Sequence, residues 1–303
     1  MNNEREQASV YAVSPSEVVT KVNPPKGLQG KVAGGMDEAA KPDERYEKTI
    51  LKALYKYGFL TLNLITRIGE GYGLRRPGIE AALKRLLISE KAERYTVDDF
   101  SRMAVQKDFY ILSRGERTAM KESEPTRPVY KFDVTNLAYV MRNMMAVQWH
   151  ISLLEHKGKE VMFNGRVELK EKRGMPIEVP SLVRVRAKRN EKIAICAVAA
   201  PKGQRQRDTG KFVMNVVELF SYFASKANAY PRFAIVILCE SEAQMKDVAL
   251  LFKSIDETAN GGIPLLYARV DATRREKRSP LSALYLVDRE KGYTDISLID
   301  LAK

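Results

Sequence analysis

LKALYKYGFLTLNLITRI, residues 51–68, decides how the N-terminal half folds. Ile50, Leu51, Leu54 and Tyr57 recur at helical spacing, and Asp43, Glu44 and Glu47 put acid where a first helical turn favours it. Gly58 stops this helix. Thr61 opens a second one carrying Leu62, Leu64, Ile65 and Ile68, which closes at Gly69-Glu-Gly71-Tyr-Gly73. The next stretch, RRPGIEAALKRLLISEKAERY at 75–95, predicts a third helix with Pro77 in its first turn and Ile79, Leu83, Leu86 and Leu87 on one face. Two strands are expected after it, Ala92 to Val97 and Asp108 to Leu112, joined by a charged connection with Asp98, Asp99 and Arg102.

Helix, helix, helix, strand, loop, strand is the winged-helix order, and 45–121 resembles that family in wording too, down to FYILSRGERTA at 109–119, where the second strand leads into a serine-initiated helix. Upstream, residues 1–43 are rich in Ser, Pro, Gly and Ala without periodicity, which predicts a disordered arm. Downstream, 122–303 predicts an α/β domain. It has a helix from Val134 to Glu155 with Leu137, Val140, Met141, Met144, Val147, Ile151 and Leu154 on a stripe, then strands at 160–169, 177–187 and 192–200. A helix at 211–229, a strand at 234–239, a helix at 242–256 and a strand at 265–270 complete it. This succession resembles the restriction-endonuclease-like core, the PD-(D/E)xK fold. A winged helix followed by such a core resembles the replication-relaxation family of plasmid and conjugative-element proteins, and one class of mobilisation relaxases. The resulting expectation is α+β overall: a winged helix-turn-helix domain at 44–121, then a nuclease-like α/β domain.

The 303 residues contain 51 Lys and Arg against 38 Asp and Glu, a formal charge of +13. Such a surplus attracts polyanions, nucleic acid above all. It is concentrated. Residues 44–121 hold 16 basic and 10 acidic residues, net +6, and 166–211 hold 13 and 5, net +8, while the remaining segments come to zero or −1. In the first block Arg75, Arg76, Lys84 and Arg85 sit on or before the third helix, the element a winged helix inserts in the major groove, with Glu80 as one acidic interruption. Lys91, Arg94, Arg102 and Lys107 would form the wing and reach adjacent phosphates. In the second block Lys170, Lys172, Arg173, Arg184, Arg186, Lys188, Arg189, Lys202, Arg205 and Arg207 line a sheet edge and its loops. Alternation puts Arg184 and Arg186 on one strand face and Val183 and Val185 on the other. A positive cleft there suits a sugar-phosphate backbone.

The nuclease resemblance implies a Mg²⁺ site of carboxylates from adjacent strands, and the chain lacks it. The expected Pro-Asp position is Val179-Pro180-Ser181, and the acid-x-Lys position falls in Cys196-Ala-Val-Ala-Ala200, where residues 193–200 hold no acid in any register. Glu155, Glu178 and Glu218 are scattered. The expectation is therefore a non-cleaving core with no catalytic residues, no metal and no cofactor.

Other signals are set aside. Gly203 to Phe212 has Arg205 and Phe212 where a phosphate-binding loop needs glycine and a hydroxyl, so a basic loop is expected. Gly69, Gly71 and Gly73 follow no strand and read as a turn. His150 and His156 do not share a helix face, which argues against metal ligation. Trp149, Tyr139, Phe212, Phe220, Tyr222 and Phe223 read as core or subunit-contact stripes. Cys196 and Cys239 lie in the apolar runs IAICAVAA and FAIVILCE, which predicts reduced core cysteines and, with the absence of a signal-like start, a cytoplasmic protein. Arg142, Asn143, Gln148 and His150 interrupt the most apolar stretch, 137–154, so no membrane span is expected.

These features together predict a non-catalytic double-stranded-DNA-binding protein of a bacterial mobile element, acting in plasmid replication, mobilisation or conjugative DNA processing. Its expected partners are duplex DNA, replication or conjugation proteins, and a second copy of itself. Two alternatives stay open: a Mg²⁺-dependent endonuclease or relaxase with unconventional ligands, and a winged-helix transcriptional regulator whose second domain dimerises or binds a ligand.

Overall fold

The computed structural model describes residues 19–22, 44–97, 108–123, 134, 136–157, 161–169, 177–186, 192–201, 206–225, 233–258, 265–270, 280, 283–288 and 292–296. Its first element corrects the expectation of a structureless arm: Val19–Val22 form a strand, β1. Val-Thr-Lys-Val is mostly β-branched, and it meets the open edge of a strand more than 70 residues later in the chain. The rest of 1–43 lies outside the described residues.

α1 (Glu44–Tyr57) buries Ile50, Ala53, Leu54, Tyr55 and Tyr57, and ends at Gly58, whose φ of +82° favours glycine. Leu60 then exchanges two backbone hydrogen bonds with Tyr110, of 3.1 and 2.8 Å. Thr61 caps α2 (Leu62–Gly71) as expected, its Oγ1 accepting from the Leu64 amide at 3.3 Å. α3 (Arg76–Ile88) starts with Pro in its first turn. Where α2 and α3 end, the chain does the same thing twice: the Leu74 amide donates to the Gly69 carbonyl at 3.0 Å, and the Lys91 amide to the Leu86 carbonyl at 2.9 Å. The left-handed residue this requires is Gly73 (φ +76°) in one case and Glu90 (φ +55°) in the other.

β2 (Ala92–Val97) and β3 (Asp108–Leu112) pair antiparallel with Ala92 opposite Leu112, and β1 adds to the far edge of β2 with Val19 opposite Val97. An ion pair of 2.8 Å between Lys21 and Glu93 joins the added strand. α4 (Arg114–Ser123) follows, with Ser113 Oγ accepting from the Glu116 amide at 3.4 Å.

α5 (Leu137–Lys157) serves three cores at once. Leu137, Val140, Met141 and Met144 pack with Phe59, Val97 and Phe109, while Val147 and Ile151 join the α1–α3 core. Met145, Ala146, Trp149 and Leu153 cover the large sheet. The expected single stripe is thus only part of its buried surface, as for a helix surrounded by protein.

That sheet has seven strands. β4 (Val161–Leu169), β5 (Ile177–Arg186) and β6 (Lys192–Ala199) form an antiparallel meander. α6 (Gln206–Ala224) leads to β7 (Phe233–Cys239), parallel to β6, and α7 (Glu242–Thr258) leads to β8 (Leu265–Arg269), parallel to β7. β9 (Leu284–Asp288) and β10 (Gly292–Ile296), which the sequence reading did not foresee, extend the far side antiparallel, giving the order β10-β9-β8-β7-β6-β5-β4. β6 alternates Ala194, Cys196 and Val198 toward the α6–α7 core with Ile195, Ala197 and Ala199 toward the α5 core. Both faces are apolar, as for a covered parallel strand. α6 begins five residues before the expected start at 211, so Gln206 to Gly210, expected in a basic loop, form its first turns. The molecule is a mixed α+β protein.

Candidate nucleic-acid interface

The face α3 leaves outward follows from the face it buries. With Ile79, Ala82, Leu83 and Leu86 inside, Arg76, Pro77, Glu80, Ala81 and Lys84 are exposed. Arg75, the residue before the helix, is also exposed, and its amide donates to the Tyr46 hydroxyl at 3.3 Å. Tyr46 further sets the height of α3 above α1, because a Cβ at Gly78 would collide with the Tyr46 ring. Arg76 Nε donates to Glu80 Oε1 at 2.7 Å, so this face carries one internal ion pair, with the exposed Arg75 before it and the exposed Lys84 after it.

The remaining first-block residues divide. Lys91 is exposed just beyond α3. Arg85 turns inward and donates to Glu47 of α1 at 2.6 Å, with both side chains less than a third exposed. Arg94 donates to Asp108 at 2.5 Å, and the same carboxylate accepts from Thr96 Oγ1 at 2.6 Å. These two arginines fasten α3 to α1 and β2 to β3, so both of these expected DNA contacts are already engaged by carboxylates within the fold. Arg102 and Lys107 lie outside the described residues.

In the second block, Arg184 and Arg186 occupy β5 positions opposite Ala194 and Lys192, and Arg207 falls in the first turn of α6. Register keeps Arg184 and Arg186 on the pleat position of Leu182, two and four residues away. Lys170, Lys172, Arg173, Lys188, Arg189, Lys202 and Arg205 lie outside the described residues.

One set of cations was missed. Arg45, Lys48, Lys52 and Lys56 recur every three or four residues along α1 and are exposed. The spacing was legible in ERYEKTILKALYKY as a basic helix face. Beside it α1, α2 and α5 enclose a cleft of about 690 Å³ lined by Lys52, Lys56, Arg67, Tyr72, Ile151 and Glu155 among others. Arg67 closes one side, its guanidinium gripping Glu155 through two contacts of 2.7 and 2.5 Å and Ser152 Oγ at 2.9 Å. Tyr57, which also lines the cleft, has its ring 5.9 Å from that of the buried His150. Burial, and then the Lys56 charge, hold the His150 pKa well below its ordinary value.

Ser181 lies opposite Ala197, so the two stretches in which the nuclease resemblance led carboxylates to be expected, 179–181 and 196–200, run on neighbouring strands. Ala197 is fully buried in the core that contains Trp149. Glu155 is engaged by Arg67, Glu218 is exposed on α6, and Glu178 sits opposite Glu168 on neighbouring strands. Among the described residues no group of three or more His, Cys, Asp or Glu could hold a metal ion. Cys196 and Cys239 are buried free thiols whose pKa burial pushes up. Trp149, Phe212, Phe220 and Phe223 are buried, as read from the sequence. Among the described residues no helix is long and apolar enough to cross a membrane. No family model matches the chain, and no curated protein or solved structure matches it either.

Proposed function

We propose that this is a duplex-DNA-binding protein that holds DNA without cutting it, with α3 as the recognition helix of a winged helix. The observation that carries this reading is the outward face of α3, where Arg75, Arg76 and Lys84 are exposed around a helix otherwise seated in a core. The bridge of Leu60 to Tyr110 supports it, since it ties the segment between α1 and α2 to the last hairpin strand, as winged helices do. Arginine at the start of such a helix can reach guanine edges, and the lysine a phosphate. The α5-β4-β5-β6-α6-β7 succession supports a nuclease-like second unit, and the Ser181–Ala197 pair supports its being non-cleaving. Through its resemblance to the replication-relaxation proteins, the reading extends to processing of a mobile element, with replication or conjugation proteins as partners.

The test is a titration of the full chain with duplex from its own element across salt concentrations. Affinity falls steeply with salt, and Arg75→Ala/Arg76→Ala/Lys84→Ala weakens binding about a hundredfold or more and flattens the salt slope by about 2 to 3. A flat salt dependence in the parent protein refutes the reading. Incubated with supercoiled plasmid and Mg²⁺, the protein leaves the DNA intact; nicking abolished by Glu178→Ala would establish the nuclease alternative.

A further inference from the structure

The cleft between α1, α2 and α5 has the composition of a different kind of site from the outward face of α3. Its wall is cationic, through Lys52 and Lys56, and its floor is apolar, through Ile68, Ile151 and Leu154. Tyr72 stands at its mouth, 63% exposed, a large aromatic that the fold leaves uncovered. Its backbone is held: Arg45 Nη2 donates to the Tyr72 carbonyl at 2.7 Å, and the Tyr72 amide is fixed to Gly69 at 2.9 Å. The far side is closed by the Arg67–Glu155 ion pair. At about 690 Å³ the hollow is too small for a duplex but falls within the range of small-molecule sites, roughly 300–1,000 Å³.

We propose that this cleft binds a single nucleotide, Lys52 and Lys56 taking its phosphate while Tyr72 stacks its base over the apolar floor. A phosphate needs cations, and a base needs an aromatic face with low-polarity surroundings; the cleft sets both on fixed helices. Loss of hydration beside the cleft lowers the Lys56 pKa, so an anionic neighbour would favour its charged form. The nucleotide can be free, as an effector, or part of a displaced single strand, since the recognised chemistry is the same. The inference does not rest on α3 contacting DNA, because none of the residues it uses lies on that helix.

Thymidine monophosphate and a labelled oligothymidylate of about ten nucleotides serve as the two probes, titrated into the full chain by calorimetry and anisotropy, with inorganic phosphate as competitor. Saturable binding is expected for at least one of them. Monophosphate binding identifies a free-nucleotide site, and oligonucleotide binding alone identifies a single-strand site. Tyr72→Ala, an exposed position whose loss leaves the melting temperature unchanged, weakens binding about tenfold or more, and so does Lys52→Ala/Lys56→Ala. The triple substitution on α3 leaves nucleotide binding intact, which separates failure here from failure of the duplex reading. The proposal is overturned if neither probe saturates, if Tyr72→Ala binds as tightly as the parent, or if inorganic phosphate competes as well as the monophosphate.

Discussion

α3 leaves Arg76, Glu80 and Lys84 exposed on its outer face, whereas α1 brings Lys52 and Lys56 to a hollow also lined by Ile68, Ile151 and Leu154. Both helices are basic on one face, and both came from the same +6 block of sequence. What differs is the company the cations keep. On α3 they stand in water with an acidic neighbour, so they suit a groove lined by phosphates that brings its own shape. On α1 they share a hollow with apolar residues, an exposed aromatic and Glu155, the last held by Arg67, so they suit a ligand with a charged end and a flat one. Charge sign alone does not distinguish the two; the surroundings do.

The largest expected effect on this contrast comes from Gly78→Ala. The added methyl meets the Tyr46 ring, so α3 must lift from α1 or the ring must move, and overpacking of this sort costs about 1–3 kcal/mol. Thermal melts report that loss, and duplex affinity falls more than nucleotide affinity because the start of α3 is displaced while the α2–α5 side of the cleft is not. Acid tests the other face. His150, buried against the cleft-lining Tyr57, has its pKa lowered in the folded state, so the unfolded chain takes up a proton that the folded chain refuses. Stability is therefore full above the ordinary histidine pKa of about 6.5 and falls as pH drops below it. Denaturation at pH 7.5 and 5.5 measures the decline attributable to this site as the part that His150→Phe removes. The smallest effect belongs to Glu80→Gln, which takes away the one acid on the α3 face and releases Arg76 from its 2.7 Å ion pair. Duplex affinity rises about threefold and the salt slope steepens by about 1, with nucleotide binding unchanged.

The helices and strands around these sites were legible because their signals are local. Thr61 announces a cap, Pro77 a first turn, and IAICAVAA a covered strand, and each stands where its chemistry put it. What the sequence concealed was partnership. Arg85 and Arg94 look like surface cations until Glu47, 38 positions away, and Asp108, 14 away, claim them. Val19 to Val22 carry strand-forming residues, but only the free edge of β2 makes a strand of four residues worth forming. β9 was overlooked although Leu284-Tyr-Leu-Val287 has strand composition, because it follows a long stretch without periodicity. The cleft is the extreme case: Lys52, Arg67 and Ile151 come from three helices, and no spacing rule in the chain relates them.

α5 gives the chain a mechanical property that neither half has alone. Its Val147 and Ile151 complete the α1–α3 core, while Trp149 and Leu153, on neighbouring positions of the same helix, complete the large sheet. A cut after residue 121 would leave one fragment with a hole in its core and the other with an uncovered apolar ridge. Because both cores draw on this one helix, a single cooperative transition is the expected outcome of a calorimetric melt of the full chain.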